Sequence, residues 1–236
     1  MKKIALVTGG TKGLGLAIVE CLSEHCQTVI ATYNTTPPSI EFPNVLFRKV
    51  DVTDQSSCDE LLKSLVDEGI YPNILVNNAG VVKDVMFHKM ERSAWNEVLN
   101  VNLNSIFNLT QPIYSRMRQE GFGRIINISS VNANKGQIGQ ANYCASKAGI
   151  QGFTKALALE GAHKNITVNT ISPGYCQTDM LTSMKPEVLE QVINTIPARR
   201  LGKPEEIAHL VAYLISENAG YVSGANFEIN GGLYSS

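Results

Sequence analysis

Short apolar runs rich in β-branched residues alternate along the chain with longer stretches whose apolar residues recur at helical spacing. Most of the short runs are almost continuously apolar, as expected of parallel strands that are buried on both faces. The predicted strands are Lys3–Thr8, Thr28–Tyr33, Val45–Val50, Asn73–Asn77, Arg124–Ser129, Ile166–Ile171 and Asn226–Ile229. The predicted helices are Gly13–Glu24, Gln55–Glu68, Ser93–Gln119, Asn142–His163 and Pro204–Ser216. This alternation predicts right-handed βαβ crossovers and an α/β fold, a doubly wound parallel sheet with helices on both faces.

Prolines interrupt the pattern at two places. Pro112 lies inside the third predicted helix, and we expect it to kink or divide that helix. The connection from Tyr33 to Val45 contains three prolines, which are incompatible with a regular helix. We therefore predict an extended, polyproline-like crossover there. No repeat, linker or low-complexity segment divides the 236 residues, so we expect one domain spanning residues 1–236.

Composition narrows the functional class. Apolar residues make up 44% of the chain and charged residues only 17%, which argues against disorder and for extensive buried surface. The 20 basic and 21 acidic residues nearly balance, so no nucleic-acid partner is expected. No apolar run approaches the roughly 20 residues of a membrane helix. The five cysteines show no CxxC spacing and the four histidines are scattered, which predicts a cytoplasmic protein with reduced thiols and no metal site.

A glycine-rich turn, Thr8–Gly15, follows the first strand and opens the first helix. Glycines allow the backbone to approach a phosphate closely, and a helix N-terminus offers unpaired N–H groups and a positive dipole. The flanking strand and helix favour a dinucleotide site over an ordinary glycine-rich turn.

The residues near this turn indicate which dinucleotide is bound. NAD sites place an acidic residue near the end of the second strand, but here that strand ends Ala31-Thr32-Tyr33-Asn34. Lys12 lies within the glycine turn, where an ammonium group could meet a 2′-phosphate. We therefore predict NADP(H) as the cofactor; the alternative is that Lys12 is an ordinary solvated lysine.

A second group of residues suggests proton transfer. Ser130 follows the fifth strand, and Tyr143 and Lys147 are four residues apart, so they share one helix face. A nearby ammonium is expected to lower the pKa of the tyrosine. Such a tyrosine can protonate a carbonyl oxygen as a hydride arrives, with Ser130 hydrogen-bonded to the same oxygen.

Taken together, these features closely resemble the short-chain dehydrogenase/reductase family over the whole chain, in the family's order. The resemblance implies a Rossmann-type sheet of seven parallel strands in the order 3-2-1-4-5-6-7, and a homotetramer paired through the long helices after the fourth and fifth strands. Small residues on the second of these helices fit a close helix approach, or equally packing on their own sheet. The further matching pieces are Asp51-Val52, Asn77-Asn78-Ala79-Gly80, Asn102, and Pro173-Gly174 with Thr178.

The resemblance also implies roles for individual residues. Tyr143 is the acid/base, Ser130 polarises the carbonyl, and Lys147 also holds the nicotinamide ribose. Asn102 orders a water that relays protons through Lys147. The predicted cofactor contacts are Gly9, Thr11, Lys12, Gly13, Leu14, Gly15, Asn34, Asp51, Val52, Asn78, Ala79, Gly80, Tyr143, Lys147, Pro173, Gly174 and Thr178.

Within the family the chain is most similar to reductases of β-ketoacyl thioesters, those acting on acetoacetyl-CoA and those acting on acyl-carrier-protein esters. We expect the CoA ester and predict that Asp84, Lys89, Gln137, Gln140 and Tyr175 bind it. The segment Met180–Ile196, with Met180, Leu181 and Met184, suits a mobile apolar lid or an ordinary amphipathic helix.

Two alternatives stay open: a reductase of carrier-protein esters, or of an unrelated ketone or sugar, and a non-catalytic nucleotide-sensing protein. An acidic carrier protein needs a basic patch at the mouth of the site, for which Arg116, Arg118 and Lys164 are the candidates. A non-catalytic nucleotide-sensing protein is the other alternative, although the intact set of catalytic residues argues against it. Cys144 and Cys176 adjoin the predicted site, so inhibition by thiol oxidation is a further hypothesis.

Overall fold

The computed structural model describes residues 2–178 and 185–235. Within them seven strands form one sheet in which every neighbouring pair is parallel, in the order β3-β2-β1-β4-β5-β6-β7. This order confirms the predicted fold class. The strands are β1 Ile4–Val7, β2 Thr28–Tyr33, β3 Val45–Lys49, β4 Ile74–Asn77, β5 Gly123–Ile128, β6 Ile166–Pro173 and β7 Asn226–Ile229.

Helices cover both faces of this sheet. Alternate strand residues point to opposite faces, so Val7 belongs to the core beneath α1 and α8, and Leu6 to the core beneath α2, α4 and α6. The two cores explain why most of the strands are almost continuously apolar. The helices are α1 Gly13–His25, α2 Gln55–Asp67, α3 Arg92–Leu99, α4 Ser105–Glu120, α5 Asn132–Lys135, α6 Ala141–Gly161, α7 Pro186–Thr195 and α8 Pro204–Leu214.

The third predicted helix is divided, but not at the proline. A π-helical turn, Asn100–Asn104, separates α3 from α4, and α4 continues through Pro112. Leu109, Ile113 and Met117 are each at most 4% exposed against the sheet, so their packing holds the helix together where the proline removes a hydrogen bond. Of the two expected effects of Pro112, a kink or a division of the helix, division does not occur.

The crossover between β2 and β3 contains no helix, as its prolines predicted. The predicted lid is described only in part, because Met180, Leu181 and Met184 lie outside the described residues. Its remainder forms α7, whose Leu189, Val192 and Ile193 pack on Ile196 and Leu201 in a small cluster apart from both sheet cores. Within the described residues, no helix is both long and apolar enough to cross a membrane.

Candidate active site

The carboxyl ends of β1, β4, β5 and β6 meet at a cleft of about 420 Å³. Loops at this edge of a parallel sheet converge where the strand order reverses, here between β1 and β4. Of the residues predicted for the site, those that line the cleft are Leu14, Asn78, Gly80, Asp84, Ser130, Gln137, Gln140, Tyr143, Lys147, Pro173, Gly174, Tyr175 and Thr178.

The glycine turn is locked to the loop after β4. The Asn78 side chain donates to the carbonyl oxygens of Thr8 and Gly9 at 2.9 and 3.0 Å. In return, the Thr8 hydroxyl accepts from the backbone N–H groups of Asn78 and Ala79, both at 3.0 Å. Gly9 has φ +65°, in the left-handed region that favours glycine. These contacts hold the turn in place before any ligand arrives.

The N-terminus of α1 fits a phosphate. Lys12 occupies the N-cap position and is exposed, and no side chain caps the helix. The first-turn N–H groups therefore have no side-chain acceptor, which is the arrangement that binds anions. Gly13, with φ +53°, lies beside the Thr178 methyl group. The Thr11 hydroxyl, in contrast, donates to the Thr36 carbonyl at 2.9 Å and anchors the proline-rich crossover.

At the ends of β2 and β3, two predicted cofactor residues contact each other. The Asp51 carboxylate accepts from the Thr53 N–H and hydroxyl at 2.9 and 2.7 Å, and from the Asn34 side chain. Hydrogen bonds from Thr53 and then from Asn34 lower the pKa of Asp51. The Val52 carbonyl accepts from the Asn108 side chain at 2.9 Å.

Ser130 and Tyr143 are hydrogen-bonded through their side chains. The Ser130 oxygen also accepts from the Asn132 N–H at 3.1 Å. Burial raises the pKa of Tyr143, and the bond to Ser130 opposes that rise. The sequence predicts that the ammonium of Lys147 lowers the tyrosine pKa; in this structure burial dominates and raises it, because burial disfavours the phenolate. The tyrosine is thus held in its protonated form.

Lys147 is only 3% exposed, and its Nζ donates to the Ile128 carbonyl at 2.8 Å. Burial lowers the pKa of Lys147 to about 8. The Ser129 hydroxyl donates to the Lys147 carbonyl at 2.9 Å and fixes this turn of α6 to the end of β5. A β-carbon on Gly80 would lie 3.4 Å from Nζ, so the loop after β4 closes over the ammonium.

Asn102 is fully buried in the π-helical turn. Its Oδ1 accepts from the Val81 N–H at 2.8 Å, and its Nδ2 donates to the Val81 carbonyl at 3.0 Å and to the Ser146 hydroxyl at 3.2 Å. Ser146 in turn donates to the Tyr143 carbonyl at 2.8 Å. The side chain of Asn102 therefore joins the loop after β4 to the helix that carries Tyr143. Sequence reasoning missed Ser146, although its place three residues after Tyr143 puts it on the same helix face.

The predicted substrate residues separate into two groups. Asp84, Gln137, Gln140 and Tyr175 line the cleft, whereas Lys89 lies exposed in the 3-10 turn Phe87–Lys89 and is not among the lining residues. A role for Lys89 in substrate binding therefore stays a prediction without support from the lining of the cleft.

Neither thiol near the site is activated. Burial raises the pKa of Cys176 to about 11 and also raises that of Cys144. Thiols that react with oxidants have a lowered pKa, so the structure argues against an oxidation switch. In the described part of the chain, no group of three or more His, Cys, Asp or Glu side chains is placed to hold a metal ion.

Comparison with known proteins decides the family. Residues 9–234 match the family model described as Enoyl-(Acyl carrier protein) reductase. The chain belongs to the short-chain dehydrogenase/reductase family. It is 47% identical over 240 residues to the acetoacetyl-CoA reductase of Shinella zoogloeoides, with 99% of each chain covered. It is 40% identical over 237 residues to the 3-oxoacyl-[acyl-carrier-protein] reductase FabG of Vibrio cholerae, covering 98% of this chain and 97% of that one.

Solved structures agree. A crystal structure of a candidate gluconate dehydrogenase from Agrobacterium tumefaciens superposes with a TM-score of 0.91 at 31% identity, covering 99% of this chain and 96% of that one. The family, the Rossmann-type sheet and the oxidoreductase class predicted from the sequence are therefore confirmed, and the family implies a nicotinamide nucleotide cofactor.

Proposed function

We propose that the protein is an NADPH-dependent reductase of β-ketoacyl thioesters that converts acetoacetyl-CoA to (R)-3-hydroxybutyryl-CoA. The observation that carries this proposal is the hydrogen-bonded pair of Ser130 and Tyr143 above buried Lys147, in a cleft whose relatives include acetoacetyl-CoA reductases. A pair of hydroxyl donors at one point suits a carbonyl oxygen that gains negative charge.

The chain's own residues supply the proton. When bound, the reduced nicotinamide supplies the hydride. Tyr143, protonated because burial raises its pKa, donates its proton to the oxygen of the β-carbonyl, while Ser130 hydrogen-bonds the same oxygen. Lys147 carries an ammonium below pH about 8 and stabilises the tyrosinate that results.

The preference for NADPH over NADH rests on three residues. Lys12 is exposed at the N-terminus of α1, where it can reach a 2′-phosphate. Asn34 is neutral, and the Asp51 carboxylate is occupied by Asn34 and Thr53. The end of β2 therefore presents no acidic side chain that could bind the ribose hydroxyls, as NAD sites do.

A carrier-protein ester is the second candidate substrate, supported by the relative from Vibrio cholerae. The basic residues considered for that partner do not favour it. Arg116 and Arg118 end α4 just before β5 begins, and Lys164 precedes β6, so all three lie at the amino edge of the sheet, opposite the cleft. The CoA ester therefore remains the preferred substrate.

The test supplies a panel of CoA and carrier-protein esters as substrates. The turnover of each ester is measured as the loss of NADPH absorbance. Turnover of acetoacetyl-CoA supports the proposal. Much higher kcat/KM for the carrier-protein ester would reassign the substrate, and binding of NADPH with no turnover of any ester would favour a nucleotide-sensing protein.

We also propose a homotetramer in the cytoplasm. On the outer faces of α4 and α6, Phe107 is 63% exposed and Leu159 is 82% exposed, while Ala145, Ala148 and Gly152 are small and exposed. Gly149 is required instead by packing within the subunit, since an added β-carbon there would lie 2.9 Å from Leu103. Substitution Phe107→Arg should lower the mass of the assembly measured by sedimentation; an unchanged mass would place the interface elsewhere.

The cysteines support the proposed location in the cytoplasm. All five are free thiols, which suits a reducing compartment.

A further inference from the structure

Only two charged side chains, Asp84 and Lys147, are found among the described residues that line the cleft. They lie in different surroundings. Lys147 is buried and its Nζ donates to the Ile128 carbonyl, whereas Asp84 is exposed at the cleft wall. The proposed mechanism gives a role to the Lys147 ammonium and none to the Asp84 carboxylate. The cleft therefore carries a negative charge that the proton transfer does not use.

Within the described residues, no cation forms an ion pair with Asp84. Its two carboxylate oxygens accept from the Gln140 amide nitrogen at 3.0 and 2.9 Å, and an amide carries no net charge. The adjacent lysine, Lys83, forms its ion pair with Glu97 instead. These contacts hold the carboxylate in place and leave its charge uncompensated.

The charge of Asp84 acts at the reacting end of the cleft. Burial is the main reason that the pKa values of Tyr143 and Tyr175 are raised, and the Asp84 carboxylate raises both of them further. A charge that disfavours a phenolate at these two hydroxyls also disfavours an anionic ligand group placed beside them. This part of the cleft is therefore electrostatically suited to a neutral group.

A β-keto acid and its thioester differ in charge close to the reacting ketone. In the proposed mechanism the ketone oxygen lies against Ser130 and Tyr143. Two bonds from the ketone carbon, the thioester has a neutral carbonyl group, whereas the free acid has a carboxylate. A free acid bound in this way would therefore place its carboxylate in the same small cleft as that of Asp84.

We propose that Asp84 is a specificity-determining residue that excludes free β-keto acids by repulsion between two carboxylates, while it admits the neutral thioester. This inference rests on the proposed function, because it takes the thioester as the substrate to be distinguished from its own acid. Hydrolysis of an acetoacetyl thioester yields acetoacetate and the free thiol, so the enzyme meets the acid wherever its substrate is hydrolysed. Repulsion of the wrong ligand is an effective way to discriminate between such similar compounds.

The experiment compares acetoacetate with the uncharged N-acetylcysteamine thioester of acetoacetate as substrates, with NADPH, in wild type, Asp84→Asn and Asp84→Ala. Acetoacetate is also measured as a competitive inhibitor of thioester reduction, which reports its affinity even where its turnover is too slow to detect. Removing one of two nearby like charges should raise kcat/KM for acetoacetate roughly five- to thirtyfold and lower its inhibition constant by the same order. The kcat/KM value for the thioester should not rise.

Ionic strength gives a second readout, which a purely steric role of Asp84 would not change. Salt screens the repulsion between exposed charges, so added salt should improve the use of acetoacetate by wild type. The same addition should have a smaller effect in Asp84→Asn and Asp84→Ala, which lack the charge. The uncharged thioester serves as the internal reference at each salt concentration.

Glu91→Gln is the matched control. Glu91 is an exposed carboxylate at the start of α3 that does not line the cleft, so its loss should leave the acetoacetate constants unchanged. If these constants do not improve in the Asp84 variants while the thioester is still reduced, this inference alone is overturned. A ratio that changes only because the thioester is reduced more slowly would mean that Asp84 binds the thioester, and it also overturns the inference. If wild type reduces acetoacetate better than any thioester, the proposed function fails and the inference fails with it.

Discussion

Gly15 lies so close to Gly9 that a β-carbon on Gly15 would sit 2.0 Å from the Gly9 carbonyl oxygen and 2.6 Å from the Asn78 amide nitrogen. The first turn of α1 therefore packs directly on the glycine turn Thr8–Gly15 and on the Asn78 side chain that holds it in place. Only a residue without a side chain permits this contact, which explains why the glycine is needed at that place.

Substitution Gly15→Ala should accordingly displace the turn, lower the stability by about 1–3 kcal/mol and weaken NADPH binding more than tenfold. Fluorescence titration of NADPH and urea unfolding measure the two effects. Gly121→Asn is the control, since Gly121 has φ +69° with nothing near its β-carbon position, and asparagine tolerates that backbone. Normal NADPH affinity in Gly15→Ala would contradict the close packing.

Tyr143→Phe should lower kcat by about 10²–10⁴-fold, because it removes the proton donor while leaving the ring in place. NADPH affinity should change little, since the glycine turn and the α1 N-terminus are untouched. Steady-state kinetics and a binding titration check both expectations. Tyr213→Phe, at an exposed tyrosine, serves as the control. A fully active Tyr143→Phe enzyme would exclude the proposed mechanism.

The lowered pKa of Lys147 predicts how the rate of the reaction depends on pH. Its pKa is lowered from 10.5 to about 8, so the ammonium form dominates below that pH and is lost above it. In the proposed mechanism reduction needs the ammonium, so kcat/KM should fall as pH rises through about 8. A rate profile measured across this range tests the prediction, and a flat profile up to pH about 10 would show that the charge is not required.

The same shift makes a prediction about stability. Between pH about 8 and 10.5 the unfolded chain binds a proton at this lysine that the folded protein has released. The free energy of unfolding should therefore gain a rising component with pH in that window. Urea titrations of wild type and Lys147→Met, compared at several pH values, isolate it. The stability of wild type relative to Lys147→Met should be constant below pH about 8, rise between about 8 and 10.5, and level off above 10.5.

Strand periodicity predicted a parallel sheet, and the motifs after each strand predicted the residues at its carboxyl edge, because both are local features. The order of the strands was implied by the family resemblance that those motifs carry. The π-helical turn around Asn102 was not predictable in this way: Ser93–Gln119 keeps a continuous helical pattern, and one extra residue per turn leaves no mark on it. The hydrogen bond between Asp84 and Gln140 was also hidden, since it joins two loops 56 residues apart. Both residues were expected in the site, but their orientation depends on the tertiary structure.

Lys12→Ala should lower kcat/KM for NADPH about tenfold and change that for NADH little, because we propose that its ammonium contacts the 2′-phosphate, which NADH lacks. Lys63→Ala, at an exposed lysine of α2, is the control and should leave both values as they are. The kinetic ratio for the two cofactors is the measurement. Equal use of NADH and NADPH by the wild type would remove the basis for assigning this role to Lys12.

Asn127 lies at the centre of a buried polar network that crosses the sheet beneath the site. Its Oδ1 accepts from Asn77 at 2.8 Å, and its Nδ2 donates to the Thr154 hydroxyl at 2.8 Å, which is bonded to Thr170 at 2.7 Å. Asn127→Leu keeps the branched shape of the side chain but is larger, and it leaves Asn77 and Thr154 each without one hydrogen-bond partner. We expect a loss of about 2–4 kcal/mol in the free energy of unfolding.

A lower urea midpoint with an unchanged slope is the expected measurement. Gln55→Ala, which removes an exposed amide bonded to Asp59, should stay within about 0.5 kcal/mol of wild type. Because the network ties β5, which leads to Ser130, to α6, which carries Tyr143, activity should fall at temperatures where the variant is still folded. A variant as stable as wild type would mean that water or a shifted side chain satisfies the two groups.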